Sequence, residues 1–173
     1  MTDTNISEQM RAAIGSELSR RVSFPISPSD IRRWALAVYY PMRPPERFID
    51  ADVAAKSRWG GLVAPEEFNP FAWLAAVERS AGNDSGDENN PDKTELALGI
   101  TPPGLKFQLN GGLEVQYGAP MRPGDVITSV SRLADYTERA GRLGLMLFTV
   151  FEDTWTNQDD ELVKRTRSTL IRY

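Results

Sequence analysis

The spacing of apolar residues predicts a short helix followed by a strand at the start of the chain. In an N-terminal helical extension, residues 1–19, apolar side chains recur at the period of an amphipathic helix: Ile6, Met10, Ala13, Ile14 and Leu18. Between residues 20 and 26 apolar and polar positions alternate instead, which predicts a strand. Pro25 has no N–H for a sheet ladder, so we expect this strand to lie at an edge or to end there.

Capping residues mark the starts of two helices in the next segment. Ser27 precedes a proline, and Asp30 follows at the position of a capping-box acid, so a helix is predicted from residue 28 until Pro41 ends it. Asp50 is predicted to cap a second, short helix over residues 51–58. The intervening residues contain three prolines and are expected to form an irregular loop.

A third helix is predicted to begin at Asn69-Pro70 by the same logic of a cap followed by a proline. Its body, residues 71–77, is apolar on all sides, and a helix without a polar face is buried on all sides. In a domain of this size, a sheet must then wrap around it. Residues 81–103 are polar, acidic and rich in turn formers, so we expect a long surface loop there.

The second half of the chain alternates between apolar and polar positions and contains repeated turn signals, such as residues 123–125 and 157–160. This pattern predicts an antiparallel meander over residues 109–117, 125–136, 143–151 and 162–173. The predicted fold class is therefore α+β, with a curved antiparallel sheet wrapped around one buried helix.

Composition limits the chemistry. The chain has 173 residues, which fits one domain spanning 1–173, and a net charge of −4, so no nucleic-acid partner is expected. It contains no cysteine and no histidine, which excludes thiolate and imidazole chemistry, and we expect no metal and no other cofactor.

The start resembles no signal peptide, and the longest apolar stretch is far shorter than the ~20 residues of a membrane-spanning helix. We therefore expect a cytoplasmic protein with no membrane partner.

Four motifs occur in the order found in a known protein family. They are Asp30-Ile31-Arg32-Arg33-Trp34-Ala35, Arg58-Trp59-Gly60-Gly61-Leu62-Val63-Ala64-Pro65 followed by Phe68, Leu109-Asn110-Gly111-Gly112-Leu113-Glu114, and Pro120-Met121-Arg122-Pro123-Gly124-Asp125. Together they resemble MaoC-type (R)-specific enoyl thioester hydratases and dehydratases, in particular the N-terminal, non-catalytic hot-dog domain type. The resemblance covers about residues 20–173 and implies the hot-dog fold.

The resemblance also implies a reaction, the addition or removal of water at the 2,3 bond of an acyl thioester. In that family an Asp and a His, five residues apart in the loop before the buried helix, activate the water. Backbone N–H groups near the helix N-terminus polarise the thioester carbonyl. In the matching loop here, the histidine position falls near Arg47 or Phe48, and the aspartate position falls near Tyr40. None of these side chains is a competent base at neutral pH, so we assign no catalytic residue.

The leading hypothesis is an accessory subunit, lacking the Asp/His pair, of a heteromeric (R)-specific enoyl-CoA hydratase or 3-hydroxyacyl thioester dehydratase in lipid or steroid side-chain metabolism. Its expected partners are a histidine-bearing MaoC-type subunit and a thioester of coenzyme A or acyl carrier protein, within a homo- or heteromeric dimer or tetramer. Two alternatives remain open. One is a homodimeric acyl-CoA-binding or scaffold protein without turnover, and the other is an independent hydratase that uses Glu114 or Asp50 as its base.

Two sets of residues are candidates for ligand binding. The first set would contact the acyl thioester: Trp59, Gly60, Gly61, Ala64, Phe68, Asn110, Gly111 and Gly112. The second set would bind phosphate groups of coenzyme A, because guanidinium and ammonium groups suit phosphate oxygens: Arg43, Arg47, Lys56 and Arg58.

Each candidate also has a purely structural interpretation. The four cations could be ordinary solvated surface charge, and the glycines could permit tight packing of the sheet. The aromatic residues near the site, which also include Phe71 and Trp73, could be core residues. Asp50 could act as a helix cap, and Glu114 could make a structural hydrogen bond.

Overall fold

The computed structural model describes residues 4–74 and 89–173 and consists of a five-stranded antiparallel sheet with short helices. The helices are α1 (Glu8–Ala12), α2 (Pro28–Tyr39), α3 (Ala51–Ala55) and α4 (Lys93–Ala97), with a 3-10 turn at Glu46–Phe48. The strands are β1 (Glu17–Val22), β2 (Gln108–Tyr117), β3 (Thr128–Gly141), β4 (Gly144–Thr156) and β5 (Leu162–Arg172). Their order across the sheet is β1-β3-β4-β5-β2, and every neighbouring pair is antiparallel. The predicted α+β class is confirmed, and β3, β4 and β5 form a meander as predicted. The predicted four-stranded meander is wrong at β2, which pairs with β5 and not with β3.

The first two of the three predicted helix caps, Ser27 and Asp50, are present. The Ser27 hydroxyl accepts from the Asp30 N–H at 3.1 Å, and the Asp30 carboxylate accepts from the Ser27 N–H at 3.2 Å, which completes a capping box. The Asp50 carboxylate accepts from the backbone N–H groups of Asp52 and Val53 at the start of α3. Caps of this kind contribute about 1 kcal/mol each. The Ser27 box fixes the start of α2, and the Asp50 cap fixes the C-terminal end of the loop between α2 and α3.

The N-terminal elements differ in extent from the prediction. The helix covers only Glu8–Ala12, and β1 begins at Glu17 and ends at Val22, rather than covering residues 20–26. Residues beyond Val22 stay beside β3, because the Ser23 N–H donates to the Ile127 carbonyl at 2.8 Å. They leave the regular ladder just before Pro25, as expected for a residue without an N–H.

The predicted surface loop 81–103 is only partly a loop. Residues 81–88 lie outside the described residues, but residues 93–97 form α4, and its Glu95 is completely buried. The prediction is wrong there because polar composition suggested exposure, whereas Glu95 makes an ion pair with Arg172 at the end of β5.

The central helix is predicted over residues 71–77, of which 75–77 lie outside the described residues. At its start, the Asn69 side chain accepts from the Phe71 N–H at 3.0 Å, and the buried Phe71 ring packs edge-on against Trp155. Trp73, however, is 52% exposed. The expectation that this segment is enclosed on all sides is therefore wrong at Trp73.

The apolar core consists of clusters at the two ends of one sheet face. One end contains Ile26, Phe68, Phe71, Ile127 and Trp155. The other contains Ile6, Met10, Leu133, Tyr136 and Leu147. A third, smaller cluster of Ala35, Phe48 and Val63 packs α2 against the following loop, beside the first end of the sheet.

Candidate functional site

A cavity of about 560 Å³ lies between the α2 side of the molecule and the ends of β2 and β5. This volume is in the range of small-molecule sites. Six short segments line it: Val38–Tyr39, Arg47–Phe48, Ser57–Trp59, Val63–Glu67, Tyr117–Met121 and Val163–Lys164. The cavity wall therefore combines the loop that follows α2 with residues from two strand ends, which are more than 50 positions further along the chain.

The position that resembles the histidine site lies on this wall. Phe48 is buried against Ala35 and Val63 and contributes a hydrocarbon ring to the cavity. The Arg47 guanidinium lies 4.5 Å from the centroid of the Phe48 ring. Tyr40, near the predicted aspartate position, is 82% exposed and is not part of the lining. The wall thus has no titratable base where the resemblance would place the catalytic pair.

The segment before the predicted central helix is fixed by backbone contacts. The Ala64 N–H donates to the Met121 carbonyl at 2.8 Å, and Arg122 donates through Nη2 to the Trp59 carbonyl at 2.9 Å. These bonds tie the segment to the residues that follow β2. Because the Ala64 N–H already has an acceptor, it is not free to polarise a ligand carbonyl.

Lys164 is a site residue that sequence reasoning missed. Its side chain is only 11% exposed, and Nζ lies 3.2 Å from a carboxylate oxygen of Glu67. The ammonium also lies 5.4 Å from the centroid of the Tyr117 ring and 5.1 Å from that of Trp155. A strand lysine with apolar neighbours is a weak sequence signal, since its burial becomes evident only when the faces of β5 are assigned.

Comparison with known proteins identifies the family. A family model described as FAS1-like, dehydratase domain region, matches residues 12–166. The chain belongs to this family. No curated protein matches its sequence significantly.

Solved structures with the same fold come from several organisms. The ChsH1–ChsH2 complex from Mycobacterium tuberculosis matches with a TM-score of 0.61 at 18% identity, covering 95% of this chain and 87% of that chain. The MaoC-like dehydratase from Rhodospirillum rubrum matches with a TM-score of 0.54 at 19% identity, covering 93% and 92%. The HadBC (3R-hydroxyacyl-ACP dehydratase) complex from M. tuberculosis matches with a TM-score of 0.52 at 20% identity, covering 91% and 99%. The predicted hot-dog fold and the resemblance to MaoC-type proteins are confirmed.

This FAS1-like dehydratase domain brings four of the predicted site residues together. Arg47, Arg58, Trp59 and Ala64 all line the cavity. The Arg58 guanidinium lies 4.3 Å from the centroid of the Trp59 ring, so the cation and the aromatic ring form one wall. The remaining predicted residues are not part of the lining.

Among the predicted phosphate-binding cations, Arg43 pairs with Glu46 at 3.1 Å with 75% of its side chain exposed, and Lys56 is the exposed C-cap of α3. Gly60 and Gly61 continue the loop after Trp59 without reaching the cavity. Phe68 is buried in the core, edge-on to Trp34, with 5.6 Å between the ring centroids. For Phe68 the structural interpretation therefore holds.

Asn110, Gly111 and Gly112 lie on the exposed edge strand β2, away from the cavity lining. The register of β2 against β5 shifts between Asn110 and Gly112, which marks a β-bulge. A Cβ on Gly111 would lie 2.8 Å from Ile171 Cγ1. Tight packing of two strands therefore accounts for the glycine at 111.

Neither carboxylate considered as an independent base borders the cavity. Asp50 caps α3, and Glu114 is an exposed residue of β2 opposite Arg167. The carboxylates that do line the cavity are Glu66 and Glu67, both exposed, and Glu67 is paired with Lys164.

The strongest perturbations of titration occur at the far end of β5. Arg172 is completely buried and pairs with both oxygens of Glu95 at 2.7 Å, while the Tyr136 hydroxyl donates to Glu95 at 2.6 Å. Burial alone would raise the pKa of Glu95, but the bonds from Arg172 and Tyr136 outweigh it and hold that pKa below 4.5. Burial and the bond to Glu95 raise the pKa of Tyr136. The cluster stabilises the fold and does not border the cavity.

Two negative findings apply to the part of the chain that the structure describes. No group of three or more acidic, histidine or cysteine side chains there is arranged to hold a metal ion. None of the helices in the same residues has the length and apolar character required to span a membrane.

Proposed function

We propose that this FAS1-like dehydratase domain is the accessory subunit of a heteromeric (R)-specific enoyl-CoA hydratase or 3-hydroxyacyl thioester dehydratase acting in lipid or steroid side-chain metabolism. The observation that carries the proposal is the Phe48 ring on the wall of a well-formed cavity. A subunit with its own turnover needs a positioned base at that place, and a phenyl ring cannot transfer a proton. The partner subunit supplies the Asp/His pair.

The ligand of the cavity is the thioester of coenzyme A or of acyl carrier protein. Its apolar wall, built from Phe48, Val63, Met121 and Val163, suits an acyl chain. Arg47 and Arg58 border the same cavity and suit the phosphates of the carrier, since a guanidinium binds phosphate through parallel N–H groups. With the Ala64 N–H engaged by Met121, polarisation of the thioester carbonyl falls to the partner as well.

The partner is proposed to bind at strand β2. This ten-residue strand lies at one edge of the sheet. Leu113, Val115 and Tyr117 alternate along one of its faces, and they are 66%, 37% and 38% exposed. An edge strand with an exposed apolar face favours pairing with a second chain. The solved neighbours include the ChsH1–ChsH2 and HadBC complexes, which supports a heteromeric assembly.

The test is to purify the tagged chain from its own cells, identify a co-purifying subunit with an Asp/His pair, and co-express the two. The expected result is a stable complex that hydrates crotonyl-CoA, while this chain alone shows no activity. Replacing the histidine of the partner should abolish the activity and leave the complex intact. Hydration of crotonyl-CoA by this chain alone would overturn the proposal. Tight acyl-CoA binding by a homodimer that never joins a catalytic subunit would favour a binding or scaffold protein.

A matched pair of variants tests the interface. Leu113→Lys places a charge on the exposed face of β2, and Leu143→Lys places the same charge in the β3–β4 turn, where Leu143 is 56% exposed. We expect Leu113→Lys to abolish co-purification and Leu143→Lys to have no effect, as measured by size-exclusion chromatography of the co-expressed proteins. Equal effects of the two variants would exclude β2 as the interface.

A further inference from the structure

Lys164 contributes an ammonium group to a largely apolar cavity, where its desolvation is costly. In the described residues it donates one hydrogen bond, to Glu67, and an ammonium has more donors than that one bond uses. The rings of Tyr117 and Trp155, each within 5.4 Å of Nζ, supply a further attraction that needs no hydrogen bond. Lys164 therefore retains donors for a ligand.

The partner of Lys164 is easily displaced. Glu67 has 64% of its side chain exposed, whereas that of Lys164 is 11% exposed. An ion pair with one member in solvent contributes little net free energy, so Glu67 can leave for water at small cost. The Glu67 carboxylate oxygen, 3.2 Å from Lys164 Nζ, also shows that an anionic oxygen fits against the ammonium.

The charges around the cavity agree with this reading. Arg47, Arg58 and Lys164 border the cavity together with the carboxylates of Glu66 and Glu67, so cations outnumber carboxylates there although the chain as a whole has a net charge of −4. A lining with a net positive charge in an acidic protein attracts anions locally.

We infer that Lys164 binds an anionic oxygen of the ligand and that Glu67 occupies the place of this oxygen when the cavity is empty. The inference rests on the proposed function, because it takes the cavity as the thioester site. Two sources of the anionic oxygen share this chemistry: a carboxylate on the acyl group and a phosphate of the carrier. Glu67 then acts as a competitor of the ligand, and the two residues have opposite effects on affinity.

The experiment measures dissociation constants of three probes by calorimetry, using the complex with the catalytic subunit and, separately, this chain alone. The probes are glutaryl-CoA, valeryl-CoA and glutaryl-pantetheine, which separate the acyl carboxylate from the phosphates. Lys164→Met keeps the length of the stem between the two rings but removes the charge. Lys106→Met, at an exposed lysine outside the cavity lining, is the matched control.

Lys164→Met is expected to weaken binding about tenfold, the usual effect of losing a charge-assisted hydrogen bond, and Glu67→Gln to strengthen it severalfold. If the acyl carboxylate is the anion, both effects appear with the two glutaryl probes and not with valeryl-CoA. If a phosphate is the anion, they appear with the two CoA thioesters and not with glutaryl-pantetheine. Thermal unfolding of each variant verifies that it is folded.

Constants that stay within twofold for every probe in both variants would overturn the inference and leave the accessory role intact. Weaker binding in Glu67→Gln would also overturn it. Failure of all three probes to bind the wild-type complex would reject the assignment of the cavity itself. A fourth outcome would retain the inference and reject the accessory role. In it, Lys164→Met weakens and Glu67→Gln strengthens binding to this chain alone, and the chain joins no catalytic subunit.

Discussion

Strand β5 carries a buried cation at each end, Lys164 and Arg172. The two cations differ in how many of their hydrogen-bond donors have acceptors in the protein. Lys164 and Arg172 are paired in register with Trp155 and Leu147 of β4, so both side chains lie on the same face of the sheet. Arg172 is 0% exposed and donates to both Glu95 oxygens, to the Thr149 hydroxyl and to the Pro91 carbonyl. Within the described part of the chain, its Nε alone has no acceptor.

Lys164, in contrast, donates to a single carboxylate that is largely in solvent. The number of satisfied donors therefore separates a group that holds the fold together from a group that is open to a ligand. A cation with nearly all donors occupied by protein has no capacity for a second role, whereas one with spare donors beside a cavity does. Burial by itself does not distinguish the two, because both residues are buried.

The largest effect is expected for Arg172→Met. It leaves the Glu95 carboxylate buried without a counter-ion, and breaking a buried pair in this way costs about 3–5 kcal/mol of the free energy of unfolding. Urea titration of the folded protein measures the loss. Arg167→Met is the control, because Arg167 lies on the same strand with its side chain 47% exposed, and it should cost less than about 1 kcal/mol. Similar losses of stability in the two variants would contradict a structural role for the Arg172–Glu95 pair.

The next largest effect is expected for Glu95→Gln, at about 3 kcal/mol, because it removes the main counter-ion of the buried Arg172. The loss stays at the lower end of that range because the glutamine oxygen still accepts a hydrogen bond and Asp92 remains 3.8 Å from Arg172 Nη1. Because the folded pKa of Glu95 is lowered, its contribution is complete above the ordinary value of 4.5. The contribution is lost as the pH falls from that value through the folded pKa, since the unfolded carboxyl takes up its proton first. The wild type should therefore lose more stability than Glu95→Gln on acidification. Parallel stability curves for the two proteins would show that Glu95 is not held ionised.

A smaller effect is expected for Lys164→Met, the same kind of substitution on the same face of the same strand. The change in the free energy of unfolding should stay within about 1 kcal/mol, because the lost pair is half-exposed and the methionine stem still packs between the rings. Urea titration beside Arg172→Met makes the comparison direct. A loss as large as that of Arg172→Met would give Lys164 a structural role.

The smallest effect is expected for Glu67→Gln, at less than about 0.5 kcal/mol. The exposed carboxylate is screened by salt, so even this difference should vanish at high ionic strength. Thermal unfolding at low and high salt measures it. A salt-independent loss of stability would mean that Glu67 is a fixed part of the fold and not a displaceable group.

The elements that could be predicted from the sequence are those whose signals are local. Alternation predicts β2 and the start of β5 almost to the residue, and the capping box at Ser27 predicts the start of α2. The absence of a histidine from the loop before the predicted central helix could also be read from the sequence, which has Arg47 and Phe48 near the position where the family resemblance implies one.

The features that could not be predicted depend on residues far apart in the chain. Helix α4 lies in a polar segment, and its Glu95 is buried in an ion pair with Arg172, which is 77 positions away. Lys164 and Glu67 are 97 positions apart, so their pairing appears only after folding. Phe68 was expected beside the ligand because its segment borders the site, but local sequence does not determine that its side chain points into the core.

The bare edge of β2 also has a consequence for how this protein must be produced. Natural edge strands commonly carry lysine or proline, which prevent strand addition, and the sequence of β2 contains neither; its protections are the bulge at Gly111 and the charge of Glu114. Unassembled copies therefore present an open sheet edge for strand addition. We expect the lone polypeptide to self-associate increasingly as its concentration rises, as measured by light scattering.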